Sequence, residues 1–152
     1  MTLASVSCVR RSVLSALSLG ALLPGLAPAM FLKMTDDELL ASSDLVVLGE
    51  WQGQAPATDG GRPLGRDVGV VRIERVLKGR RAASIVMVVV PGAEAPRSGS
   101  DVRFVPGDTG LWFLRKVEFA NRDVYAADHP QRFLPARTEA AAIERWRRRL
   151  AP

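Results

Sequence analysis

Catalysis by side chains needs a nucleophile, a base and a group that orients the base, all within reach of one another. The chain has one histidine, His129, which stands in "ADHP" beside Asp128. A base next to its carboxylate would suit hydrolysis, but neighbouring side chains of an extended segment point to opposite sides. The pair therefore reads as a turn aspartate and a surface histidine. Ser98 and Ser100, in "RSGSD", lack the strand-to-helix elbow that activates a serine. "DTG" at Asp108 occurs once and lacks the apolar setting of an aspartic site. "GRPLGRD" has glycines but not the flanking strand and helix of a phosphate loop. The alternative, a small hydrolase-like enzyme, would have to assemble its site from distant residues such as Glu50, Asp67, Glu118 and His129. No catalytic, cofactor or metal residue is assigned, and the balance favours a protein that binds.

The elements that would position a binding surface are legible. In "MTDDELLASSD", Thr35 and Glu38 have the spacing of a capping box, and Asp36 and Asp37 fall in the first turn, where carboxylates suit the positive end of the helix dipole. A short helix over about Asp36 to Ala41 follows, and capping accounts for an acidic trio that could otherwise suggest a cation site. Leu45 to Leu48 is a short continuous apolar run, the signature of a strand buried on both faces. Gln52 to Asp67 holds four glycines and two prolines and reads as a long mobile loop. In "VGVVRIERVLKG", Val71 and Ile73 alternate with Arg72 and Glu74, and the pattern slips at Arg75-Val76-Leu77, which predicts a bulge that bends the strand.

"IVMVVV" at Ile85 to Val90 is a third strand of stiff β-branched residues, ended by Pro91-Gly92. Pro91 to Gly99 is a second irregular loop. Val102 to Phe104, the turn "PGDTG" and "LWFLRKVEF" predict a hairpin with one largely buried arm. A tight turn around Asn121 leads to a return strand at Val124 to Ala126, and Gln131 to Leu134 adds a short final piece. A C-terminal helix from about 138, with Thr138 as its cap, carries an apolar stripe of Ile143, Trp146 and Leu150. Arg145, Arg147, Arg148 and Arg149 cover its other side. They are either solvated while the stripe packs on the domain, or a contact for an acidic partner or anionic lipid.

The first 29 residues have a different character. Arg10 and Arg11 precede the uncharged run Ser12 to Leu26, and Ala27-Pro28-Ala29 offers a small-residue cleavage site, so residues 1–29 read as an export signal. "RRSVL" fits the twin-arginine pattern, with the general secretory route as the alternative. Gly20, Pro24, Gly25 and Pro28 make a poor membrane-spanning helix. Residues 30–152 then form one domain in the periplasm or outside the cell. The only cysteine, Cys8, lies in the signal, which leaves the domain without thiol nucleophiles, cysteine metal sites or disulfides. A net charge of +5 for the whole chain, reduced when Arg10 and Arg11 are removed, does not call for nucleic acid.

The order "SDLVVLGEW", a variable loop, "VRIERVLKG", a valine-rich strand and "GLWFL" resembles small exported bacterial proteins with a domain of the netrin-module or tissue-inhibitor-of-metalloproteinase type. The similarity covers about Asp36 to Leu134. It implies a mainly β fold, a small five-stranded OB-like Greek-key barrel with a short N-terminal and a C-terminal helix. Animal inhibitors of that fold address a protease zinc through an amino-terminal cysteine, and a chain beginning at Met30 has none. The expected function is thus an exported, non-enzymatic interaction domain. Its partner would be an envelope protein or other extracytoplasmic component, with membrane-surface contact as the alternative and no cofactor. Export should remove residues up to Ala29, so amino-terminal sequencing of the exported protein should begin at Met30 or within a few residues; a start at Met1 refutes this.

Overall fold

The computed structural model describes residues 32–80, 83–92 and 102–151. The chain is mainly β. A short helix α1 (Asp36–Ala41) leads into β1 (Leu45–Asp59), β2 (Arg62–Lys78), β3 (Ile85–Pro91), β4 (Thr109–Phe119), β5 (Arg122–Ala126), a 3-10 turn (Pro130–Arg132), β6 (Phe133–Pro135) and α2 (Ala136–Arg149). Neighbouring strands run in the order β1-β2-β3-β5-β4, and β4 pairs back onto β1. Five strands therefore close a ring in OB-like Greek-key order, with β3 and β5 parallel and the other ring pairs antiparallel. The short β6 adds to β4 outside the ring.

Alternation along β1 and β4 feeds two cores. Leu45, Val47, Trp51, Trp112 and Leu114 point into the barrel with Val71, Val86, Val88 and Val90. Val46, Leu111 and Phe113 point the other way and meet Leu39 of α1 and Ile143 and Trp146 of α2. Both faces of these strands are covered, which is why their sequences read as unbroken apolar runs. The capping box of α1 forms as expected, with Glu38 N–H donating to Thr35 Oγ1 and Thr35 N–H donating to Glu38 Oε2. At the other end of α1, Lys78 Nζ donates to the carbonyls of Leu40 at 2.6 Å and Ser43 at 2.7 Å, supplying a cation at the negative helix terminus.

The expected bulge in β2 is present. Val46 pairs with Lys78 but Val47 with Val76, and a second shift follows between Leu48 and Gly49. Val47 and Ile73 share the barrel core, whereas Arg72 and Glu74 are exposed. The turn at Asn121 also forms, with Ala120 and Asn121 at φ 50 and 57, the left-handed pair that suits a two-residue hairpin.

Three expectations are corrected. Gln52–Asp67 is not a mobile loop but the distal half of the β1–β2 hairpin, which turns at Gly60-Gly61 (φ 54 and 82). Its other glycines and prolines sit at irregularities of the ladder, Gly53 and Pro56 at register shifts and Gly65 at φ 68. They bend the ribbon without ending it. Val102–Phe104 is not a strand; it is an irregular segment that inserts Phe104 among Trp51, Trp112 and Phe133 and is held by Gly107 N–H donating to Trp51 O. Finally, α2 starts at Ala136, ahead of Thr138. Pro135 takes the cap position without a side-chain bond, and Glu139 is non-helical.

The tightest fit in the barrel is between Trp51 and Gly69. A Cβ built at Gly69 would lie 1.9 Å from the Trp51 ring, so only glycine lets the indole cross β2. Gly69→Ala should therefore cost about 1–3 kcal/mol by overpacking. Trp51→Phe removes the outer ring that collides, and the cost of Gly69→Ala should shrink in that background. Denaturant titration of the four proteins checks this, and additive losses refute the contact.

Candidate functional site

The outer face of β2, β3 and β5 is where an apolar surface meets solvent. Register places Val70 opposite Met87 and Val68 opposite Val89, and Val89 lies beside Ala126 on β5. Val86, Val88 and Val90 point into the barrel, so Met87, Val89 and their partners point out. The outward residues are apolar too, and Met87 and Ile85 are 36% and 47% exposed. At one end this face deepens into a cleft of about 270 Å³, floored by Val68, Met87 and Val124. Leu64, on the β1–β2 hairpin, forms one wall, and Phe119 and Arg122 of the β4–β5 turn form the other.

Local sequence builds each wall. The hairpin reaches the cleft because its irregularities at Gly53, Pro56 and Gly65 curve a ribbon that would otherwise run straight. The opposite wall is set by the two left-handed residues Ala120 and Asn121, which fold β5 back sharply along β4. Beyond it, Lys116 and Asp123 form an ion pair at 2.7 Å, and the hydrogen bond from Lys116 to Asp123 raises the lysine's pKa. Thr58, Asp59 and Arg122 also line the cleft, so its Met, Val and Leu surface can bury an apolar side chain beside polar groups.

The four residues from which an enzyme site would have to be assembled are placed on separate parts of the barrel. Glu50 pairs with Arg72, whose hydrogen bond and charge lower the carboxylate's pKa. Asp67 is buried and accepts from Gln54 Nε2 at 2.8 Å. Glu118 stands opposite Asp123 in the β4–β5 ladder. His129 takes the cap position of the 3-10 turn, accepting from Gln131 N–H at 3.2 Å, with Nε2 3.1 Å from Leu32 O. Asp108 accepts from Val105 N–H and shapes the turn before β4. Among the described residues no group of three or more His, Cys, Asp and Glu is placed to hold a metal. Ser98, Ser100 and the signal residues Arg10, Arg11, Ala27 and Ala29 lie outside the described residues.

The C-terminal arginines divide into two kinds. Arg149 pairs with Asp37, lies 3.7 Å from Asp36 and sits over the Trp146 ring, so it joins α2 to α1. Arg147 pairs with Glu144 one turn back at 2.5 Å. Arg145 and Arg148 are exposed and have no ion pair among the described residues. Ile143 and Trp146 are buried in the second core and Leu150 is partly buried against it, so the apolar stripe packs on the barrel. No helix among the described residues is long and apolar enough to cross a membrane.

Asp128 lies between two arginines. It accepts from Arg115 at 2.5 Å and lies 3.2 Å from Arg132 Nε. The rest of the Arg132 guanidinium is buried, donating to Ser43 Oγ at 3.1 Å, Ser42 Oγ at 3.0 Å and Phe113 O at 3.4 Å. Burial opposes the charge on both partners. For Asp128 the hydrogen bond and charge of Arg115 outweigh it and lower the pKa, whereas for Arg132 burial prevails and lowers the pKa despite Asp128.

The cleft residues Leu64, Met87, Phe119 and Arg122 do not stand out in the sequence as a site. The available signal is the phase of "IVMVVV", apolar at both odd and even positions, which marks both faces of β3 as apolar. No protein-family model matches the chain, and no curated protein matches it.

Asp128→Asn should cost about 1–3 kcal/mol at neutral pH by leaving Arg132 without its counter-charge. Because the folded-state pKa is lowered, the contribution of the Asp128 charge is complete above the ordinary value of 3.8 and is lost as pH falls through the lower folded value. The difference from wild type should therefore narrow only in strong acid. Urea titrations across pH check this, and a difference that grows on acidification refutes it.

Proposed function

We propose that this chain is an exported, non-enzymatic binding domain that takes an apolar segment of an envelope protein into the cleft between the β1–β2 hairpin and the β4–β5 turn. The observation that carries this reading is the apolar outer face of β2, β3 and β5 running into that cleft with Met87 at its floor. OB folds in general take ligands on this face, between these two connections, which is an analogy of fold. The lining argues for protein over oligonucleotide. Nucleic-acid sites of this type present several stacking aromatics and a basic track, whereas this cleft has one aromatic, Phe119, and one arginine, Arg122, which is accompanied by Asp59. Methionine suits an apolar partner because its flexible thioether adapts to irregular shapes.

Export is the other half of the proposal. Arg10, Arg11, Ala27 and Ala29 would direct and end it, through the twin-arginine or the general secretory route, and deliver residues 30–152 to the periplasm or beyond. Among the described residues, Leu32 and Met34 are tied to the barrel. Met34 N–H donates to Gln131 Oε1 at 2.7 Å, and Gln131 Nε2 donates to Met34 O at 2.9 Å. The netrin-type resemblance belongs to the same proposal and concerns the barrel as a binding platform, not protease inhibition.

Affinity capture from the envelope fraction, with Met87→Asp and Leu64→Asp compared against wild type and Lys33→Ala, tests the cleft. A charge buried against the partner should weaken capture about tenfold or more, while the exposed Lys33 should not matter. Equal capture by folded Met87→Asp, or no specific capture by wild type, refutes the reading.

A further inference from the structure

A second groove lies on another side of the molecule, between the bulged end of β2 and α2, with a volume of about 530 Å³. Its existence follows from the bulge. Successive side chains of a regular strand face opposite ways, yet Arg75, Val76 and Leu77 all line this groove. The extra residue between the pairs Val46↔Lys78 and Val47↔Val76 brings them together. Leu77 and Leu150 continue the second core to the surface, and Val76 is 36% exposed, so the floor is apolar.

The walls are basic. Arg75 comes from β2 and Arg147 and Arg148 from α2, with Glu144 as the one acid lining the groove. Arg147 is engaged by Glu144 at 2.5 Å, whereas Arg75 and Arg148 form no ion pair among the described residues. Two arginines without an ion pair among the described residues, one from β2 and one from α2, thus line an apolar trough.

We propose that this groove binds an acidic peptide segment of a partner protein, its carboxylates on Arg75 and Arg148 and an apolar side chain on Val76, Leu77 and Leu150. Charge complementarity selects the acid, and guanidinium forks suit carboxylates in two-bond geometry. The shape selects a chain over a bilayer. The groove is concave, and the helix residues that would have to insert into lipid, Ile143 and Trp146, are buried in the second core. An acid entering the groove competes with Glu144 for Arg147, so Glu144 limits affinity. The site is separate from the cleft around Met87 and does not rest on it.

The test is fluorescence anisotropy of a labelled peptide of alternating glutamate and leucine, titrated with the purified protein. Binding should weaken with salt. Arg75→Glu and Arg148→Glu should each weaken it about tenfold or more, and Glu144→Gln should strengthen it by freeing Arg147. Arg145→Glu, on the same helix but outside the groove, and Met87→Asp should leave it unchanged. Thermal melts confirm that these exposed variants fold. Absence of peptide binding, or equal losses for Arg145→Glu and Arg148→Glu, overturns the proposal. So does Arg148-dependent sedimentation with phosphatidylglycerol–phosphatidylcholine vesicles, or Arg148-dependent binding of a single-stranded oligonucleotide, if the peptide does not bind.

Discussion

The pairing of β1 with β4 holds the rest of the structure in place. Leu45 to Glu50 run antiparallel to Thr109 to Leu114, and this ladder turns an open sheet into a ring. It is also the wall shared by both cores, because alternate residues of the same two strands serve the barrel interior and the helices outside. The backbone of this wall must come very close to its neighbours. A side chain at Gly49 would meet Arg72 O at 2.5 Å, and one at Gly110 would meet Leu134 O at 2.2 Å. Closure thus depends as much on two missing side chains as on the apolar ones that fill the core.

With the ring closed, departures from regularity create the surfaces on which binding can occur. The register shifts of the distal β1–β2 hairpin curve it beside the outer face of β3, and the shift at Leu77 opens a trough beneath α2. The mismatch is one residue at Gln52 and at Leu77 and two residues between Pro56 and Thr58, in a ladder that is otherwise paired. Polar satisfaction is handled elsewhere, by the buried Arg132 beneath α1 and by Lys78 at the end of that helix. The clefts are left with mainly apolar floors.

Much of the architecture is legible in the sequence because it rests on period and capping. Thr35 and Glu38 announce α1, the unbroken runs at Leu45 and Leu111 announce strands covered on both sides, and the slip at Arg75 announces the bulge. The distal hairpin is misread because glycine and proline carry two meanings. In Gln52–Asp67 they mark bends within a strand pair, and only the partner strand distinguishes that from a loop. Phe104 is misread for a related reason: alternation around it resembles a strand, but its ring is needed inside the barrel and the backbone follows the ring. The cleft escapes because Leu64 and Met87 are ordinary apolar residues that become neighbours only through the hairpin's curvature. The arginines of α2 are conspicuous, yet sequence alone does not separate Arg149, spent on α1, from Arg148, which is free of ion pairs among the described residues.

The tie between Met34 and Gln131 has a consequence in time. Its two partners are 97 positions apart, and the amide pair closes only after nearly the whole barrel has been made. The β1–β2 hairpin can form from adjacent residues as soon as they emerge, but the wall β1–β4 and this last clasp must wait for the later strands. Residues 32–34 therefore gain their partners His129 and Gln131 only when most of the chain has been made, so the opening segment of the described fold is fastened by one of its late ones.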